Sequence, residues 1–191
     1  MRIVELIIDK DTDGIDAVSV VDAPAIESNF IALADTYEMK LAEVDTDKRI
    51  LMGAALIPNK QIYRRVKQDE FYVFFSEDTI KKASELFLMN GNQSNATLQH
   101  KSKIDGMTVV ESWIVEDPEM DKSKKYGFNL PSGTWMISMK VENEDVWKRV
   151  KAGEVKGFSI EGYFADKLEM QMQDEELINT IKQIITNGDI R

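Results

Sequence analysis

One histidine, no cysteine and 34 acidic residues in a chain of 191 leave few routes to chemistry. Absence of cysteine removes thiol nucleophiles, thiolate zinc sites and disulfides. A single imidazole leaves oxygen ligands as the material for any metal site, so no metal and no cofactor are expected. Two stretches carry residue types that nucleophilic catalysis could use. In TLQHKSKIDGMTVVESWIVE (97–116), Asp105–Gly106 between β-rich runs signals a type I′ hairpin. A two-residue loop there sets Ile104 opposite Met107, His100 opposite Glu111, and Leu98 opposite Trp113. Such partners share a face with Cβ atoms roughly 4.5–5.5 Å apart. Glu111 would then fix the imidazole tautomer and favour its charged form, as the orienting half of a triad. In EVKGFSIEGYF (154–164), period-two alternation separates Phe158, Ile160 and Phe164 from Ser159, Glu161 and Tyr163. Ser159 is thus placed as a nucleophile on a barrel wall would be. Glycines 157 and 162 would admit a close backbone neighbour or free amides for an oxyanion. An ordinary cross-strand pair and a serine on an amphipathic strand leave the same two patterns, so neither stretch fixes a role alone.

Other motifs carry less. Asp9, Asp11, Asp13 and Gly14 imitate the first half of a calcium loop, but Val20 stands where the loop requires a bidentate Glu. A solvated hairpin turn is the better account. Asn92–Ser94 and Asn95–Thr97 match glycosylation sequons without any mark of secretion.

Positioning these residues falls to short β-branched and aromatic runs cut by turns. Strands are expected over 1–9, 15–21, 49–57, 70–75, 96–104, 107–116, 134–142 and 155–164. Apolar spacing at Ile80, Ala83, Leu86 and Phe87 predicts a helix over 77–89, with Ser76 as N-cap and Asn90–Gly91 as its stop. A short helix capped by Asn143 is expected over 143–151. Residues 30–47 read as a connection or short helix. Leu177, Ile178, Ile181, Ile184 and Ile185 form one stripe of an amphipathic helix over 174–187, set apart by the acidic, Met-rich stretch 166–173. The domain reading is therefore 1–165 as one β-barrel domain and 166–191 as linker and C-terminal helix. With about eight strands and no long crossover helices, the fold class is α+β, mainly β. The expected form is a small closed or partly open antiparallel β-barrel with two or three flanking helices.

The net charge of −10 argues against nucleic acid as the main partner. Apolar runs are too short to span a membrane, and the N-terminus lacks a signal-peptide pattern. A soluble intracellular protein is expected.

QHKSKIDGMTVVESWIVEDPEMDKSKKYG, GTWMISMKV and GEVKGFSIEGYF, preceded by DGIDAVSVVDAPAIESNFIAL, together resemble the XkdF-like group of phage prohead serine proteases. The likeness covers about residues 1–165. It implies a barrel related to the herpesvirus assembly protease, with a nucleophilic serine on a late strand and a histidine on an earlier one, here Ser159 and His100. The third member varies in such proteases, and this chain has no second histidine. Glu111 is the choice from hairpin register, with Glu161 and Asp166 as alternatives. The resemblance further implies endopeptidase action on phage scaffold, on the major capsid protein's scaffolding segment and on the chain's own termini, inside the procapsid in the host cytoplasm. Self-association and a docking or autocleaved role for the 174–187 helix are further expectations. The competing reading is a non-catalytic capsid-assembly protein on the same barrel.

Overall fold

Two continuous apolar runs, RILMGAAL and WMISMKV, set the centre of the fold. A strand buried on both faces has no polar alternation. Accordingly Leu51, Met52, Ala54, Ala55 and Leu56 are buried, as are Trp135, Met136, Ile137 and Met139. The structure is a computed structural model and describes residues 2–10, 13–24, 31–34, 47–66 and 69–166. In chain order the elements are β1 (Arg2–Ile7), β2 (Gly14–Val21), β3 (Ile31–Ala34), β4 (Asp47–Leu56), β5 (Ile62–Val66), β6 (Asp69–Phe74), α1 (Glu77–Met89), β7 (Ala96–Leu98), β8 (Ser102–Ile104), β9 (Met107–Ile114), α2 (Lys122–Lys125), β10 (Trp135–Val141), α3 (Glu144–Lys151), β11 (Gly157–Tyr163) and β12 (Ala165–Asp166). A 3-10 turn spans Asn92–Ser94.

The mainly β class is as expected, but the ladders make three four-stranded sheets: β12–β1–β6–β5, β3–β4–β10–β9 and β11–β2–β7–β8. Among the described residues they do not close into one barrel. Nor are they purely antiparallel, since β1 pairs with β6 and β2 with β7 in parallel. β11 packs across β4, joining the second and third sheets. β3 lies where a connection was expected; its residues Ile31–Leu33 pair with Ile50–Met52 of β4.

Helix α1 has the bounds its spacing predicts. Ile80, Ala83 and Phe87 are buried, and the Phe87 ring meets Trp135 edge-on at 5.5 Å. The Ser76 hydroxyl pairs with the Thr79 hydroxyl at 3.1 Å and caps no amide. Past the helix, Gly91 takes φ 72°, the left-handed stop glycine permits. Asn143 caps α3 by accepting from the N–H groups of Asp145 and Val146 at 3.1 and 3.0 Å.

Two expected hairpins are absent. β1 and β2 belong to different sheets, and Asp13 folds the turn between them by accepting from the N–H groups of Asp9 and Lys10. Asp105–Gly106 does turn the chain, with Gly106 at φ 75°, but it passes from one sheet to another. The Gly106 carbonyl accepts from the N–H groups of Glu142 and Asn143 at 2.7 and 3.2 Å. The turn is therefore fastened to the β10–α3 junction, and β9 pairs with β10 instead of β8. Within the expected strand 96–104 the chain also reverses, so β7 and β8 pair with each other, Ala96 opposite Ile104.

β12 pairs with β1, Leu6 opposite Asp166, which ties the two ends of the described fold together. The predicted C-terminal helix over 174–187 lies outside the described residues.

Gly162 sits where the β11–β2 register shifts. A Cβ there would lie 1.9 Å from the Gly14 carbonyl oxygen. This is the close backbone approach its sequence position suggests, and it leaves no room for a side chain. Gly162→Ala should cost about 1–3 kcal/mol by overpacking. A denaturant midpoint unchanged from wild type would contradict this contact.

Candidate active site

β2 is paired on both edges, antiparallel to β11 and parallel to β7. Ser159 stands opposite Ser19, and Ser19 opposite Thr97. Ser19 is fully buried and Ser159 nearly so, at 9% exposure. Beyond Leu98 the chain turns through Gln99 and His100, both with positive φ (53° and 55°). Such left-handed conformations cost non-glycine residues about 1–2 kcal/mol each. Three hydrogen bonds offset that cost. Lys101 N–H donates to the Leu98 carbonyl and Gln99 N–H to the Val20 carbonyl, both at 3.1 Å. His100 N–H donates to Ser19 Oγ at 3.0 Å. The histidine is thus fastened by its backbone to the strand beside the serine.

Its ring is held from β11. His100 Nδ1 lies 3.0 Å from Glu161 Oε1, and Thr97 Oγ1 donates to the same carboxylate oxygen. Glu161 shares a face with Ser159 because the two are one pleat apart. A carboxylate at Nδ1 selects the tautomer with its proton there and leaves Nε2 free to accept. The contact is partly solvated, with side-chain exposures of 43% for His100 and 32% for Glu161, so it orients more than it stabilises.

Ser159 and His100 line one groove of about 430 Å³ with Ile160, Arg64, Asp22 and Gln99. No hydrogen bond links Ser159 to His100 among the described residues. The groove holds a hydroxyl and an imidazole, and a carboxylate lies at the imidazole's Nδ1; these are the parts hydroxyl acyl-transfer chemistry uses.

Of the three acids considered, the structure brings Glu161 to the histidine and places Glu111 elsewhere. The Asp105–Gly106 turn joins two different sheets, so the 104/107 register does not form and Glu111 lies on β9 opposite Ser138 of β10. Its carboxylate accepts from Lys122 Nζ at 2.7 Å and from the Ser138 hydroxyl. These partners, Lys122 foremost and Ser138 next, hold the carboxyl below the ordinary glutamate range. Trp113, expected opposite Leu98, stands opposite Met136 with the Lys122 ammonium 4.2 Å above its ring. Asp166 pairs with Leu6 in the first sheet. Gly162 lies in close contact with the Gly14 backbone, as its suggested role in admitting a close backbone neighbour requires.

Ser19, which accepts from the His100 N–H, and Arg64, which lines the groove, are among the residues the sequence reading does not single out. Ser19 is visible in retrospect as a hydroxyl inside the apolar run AVSVV. Arg64 on β5 lies in a charged stretch, YRRV, with no apolar alternation to mark a strand. Its NH1 donates to the Tyr63 carbonyl at 3.1 Å, and partial burial lowers its pKa while the guanidinium stays charged.

No group of three or more His, Cys, Asp or Glu side chains among the described residues is arranged to hold a metal. No helix among them is long and apolar enough to cross a membrane.

Residues 38–169, more than half of the chain, match the family described as "Putative phage serine protease XkdF". The stretch includes His100, Ser159 and Glu161. Two proteins of Bacillus subtilis (strain 168) are similar. The phage-like element PBSX protein XkdF is 25% identical over 114 residues, 60% of this chain and 39% of that protein. The uncharacterized protein YqbD is 30% identical over 159 residues, 81% of this chain and 45% of that protein. The chain thus spans less than half the length of these curated relatives. No solved structure matches it.

Ser19→Ala would remove the acceptor of the His100 N–H, at a cost of about 0.5–1.5 kcal/mol; an unaltered denaturant midpoint would refute that fastening. Glu111→Gln tests the second cluster through pH. A carboxyl whose pKa is lowered on folding adds stability above its unfolded pKa and loses it as pH falls through the folded one. The wild type should melt above Glu111→Gln at neutral pH, and the gap should close under acid conditions. A gap constant across pH would mean that charge plays no part.

Proposed function

The chain belongs to the phage serine protease XkdF family, and we propose that it is a serine endopeptidase of capsid maturation. The observation that carries the reading is the shared groove of Ser159 and His100, with Glu161 on the ring's other nitrogen. In this reading His100 Nε2 takes the Ser159 proton as Oγ attacks the scissile carbonyl, then gives that proton to the leaving amine. Water, deprotonated by the same imidazole, hydrolyses the ester left on Ser159. Glu161 holds the ring and stabilises the imidazolium, the role first assigned to Glu111. β11 is an edge strand of its sheet, and an extended substrate added along that edge would pass Ser159.

The substrates proposed are phage scaffold, the scaffolding segment of the capsid protein, and the chain itself. The place of action is the procapsid within the host cytoplasm. The family's phage association and a hydroxyl-based groove in a chain without cysteine support this.

The test is co-expression with the phage's own scaffold and capsid proteins, read by mass spectrometry. Ser159→Ala should abolish processing, and His100→Ala should slow it at least about 100-fold, the weight of a positioned base. Glu161→Gln should fall between these variants and wild type, since Gln still accepts from Nδ1–H but carries no charge. Full processing by Ser159→Ala would leave an assembly role on the same fold.

A further inference from the structure

Ser159 stands on the wall of a second space. Beneath the groove, between β11 and β4, lies a cavity of about 150 Å³ whose lining includes Leu6, Ala55, Ile62, Phe75 and Phe164. Those residues come from or adjoin five different strands, and the Phe75 and Phe164 rings lock edge to face at 4.8 Å. The walls are therefore held by tertiary packing and are not a loop's passing shape. Arg64 is the single charged residue in the lining, and it also lines the groove above.

Close-packed interiors leave few voids larger than a water molecule. An apolar void of about 150 Å³ takes a benzene-sized guest, while a charged side chain entering it would give up its hydration. We propose that this cavity is the primary specificity subsite of the protease. It takes the side chain of the substrate residue whose carbonyl Ser159 attacks, an apolar group of leucine to phenylalanine size. The acyl-side residue is the one assigned because its Cα is bonded to the attacked carbon and stays attached to Ser159 in the acyl-enzyme. Walls that begin at the nucleophile receive that side chain before any other. The proposal rests on Ser159 being the nucleophile.

The experiment uses the full chain and peptidyl diphenyl phosphonates that differ in the acyl-side residue, with Ala, Leu, Phe, Asp and Lys in turn. An alkyl fluorophosphonate, which carries no such side chain, serves as reference. Labelling of Ser159 is followed by mass spectrometry. Leu and Phe probes should label at least about tenfold faster than Ala, Asp and Lys probes, the discrimination a few methylenes give. Ala55→Leu narrows the cavity and should turn the preference toward Ala, with the reference rate retained. Leu6→Ala widens it from the opposite wall and should favour Phe over Leu, so the test survives if one variant fails to fold. Equal rates across the side chains, an Asp preference that would instead assign Arg64 as the determinant, or ratios unmoved by both variants would overturn the subsite while leaving the protease standing. No labelling of wild-type Ser159 by any probe, the reference included, would overturn the protease reading and the subsite with it.

Discussion

The double pairing of β2 is the constraint on which the site depends. Ser159 and His100 are far apart in sequence, and β11 and β7 do not pair with each other, since β2 lies between them in the third sheet. Only a strand hydrogen-bonded to both can fix their separation. Because side chains alternate with a period of two, the registers of Ser159 on Ser19 and Ser19 on Thr97 put one row of hydroxyls on a common face. A slip of one residue on either side of β2 would turn Ser159 or Thr97 to the opposite face. β2 itself is buried on both faces at Val18, Ser19, Val20 and Val21, which holds the shared strand in place.

The histidine's position comes from conformational strain balanced by specific bonds. Two successive left-handed residues are uphill by an amount comparable to the few backbone hydrogen bonds that hold them, each worth about 0.5–1.5 kcal/mol net. The turn therefore persists because β2 supplies acceptors for it, at the Val20 carbonyl and the Ser19 hydroxyl. Strain of this kind concentrates at functional sites. Here it places an imidazole at the lip of a groove, where a strand interior would have pointed it along the sheet normal.

The parts of the fold legible in the sequence were those where local signals and burial agree. Helix α1 shows both a one-face apolar stripe and a left-handed stop at Gly91, and its bounds follow. Asn143 caps α3 as its type predicts. Ser159 and Glu161 follow from strand alternation alone. What stayed hidden was the reversal at Gln99–His100, because neither residue is a glycine or asparagine and the positive φ is imposed by tertiary bonds. Asp105–Gly106 misled for a related reason. Its turn chemistry is real, with Gly106 in the conformation expected, but dipeptide preference says nothing about which strand the chain meets next. That single misassigned partner moved the carboxylate from Glu161 to Glu111. β5 was missed because Arg64 and Arg65 obscure the alternation of an edge strand.

The stretch that matches the protease family begins at residue 38, after β1 and β2. His100, Ser159 and Glu161 lie inside that stretch, yet the strand that aligns them lies before it. A fragment cut to the matched boundaries would keep the reactive side chains and lose their common ruler, leaving inner edges of β11 and β7 bare. Bare edges of this kind invite pairing with other chains. β2 is for that reason part of the site's structural unit, although it contributes no titrating group to the groove.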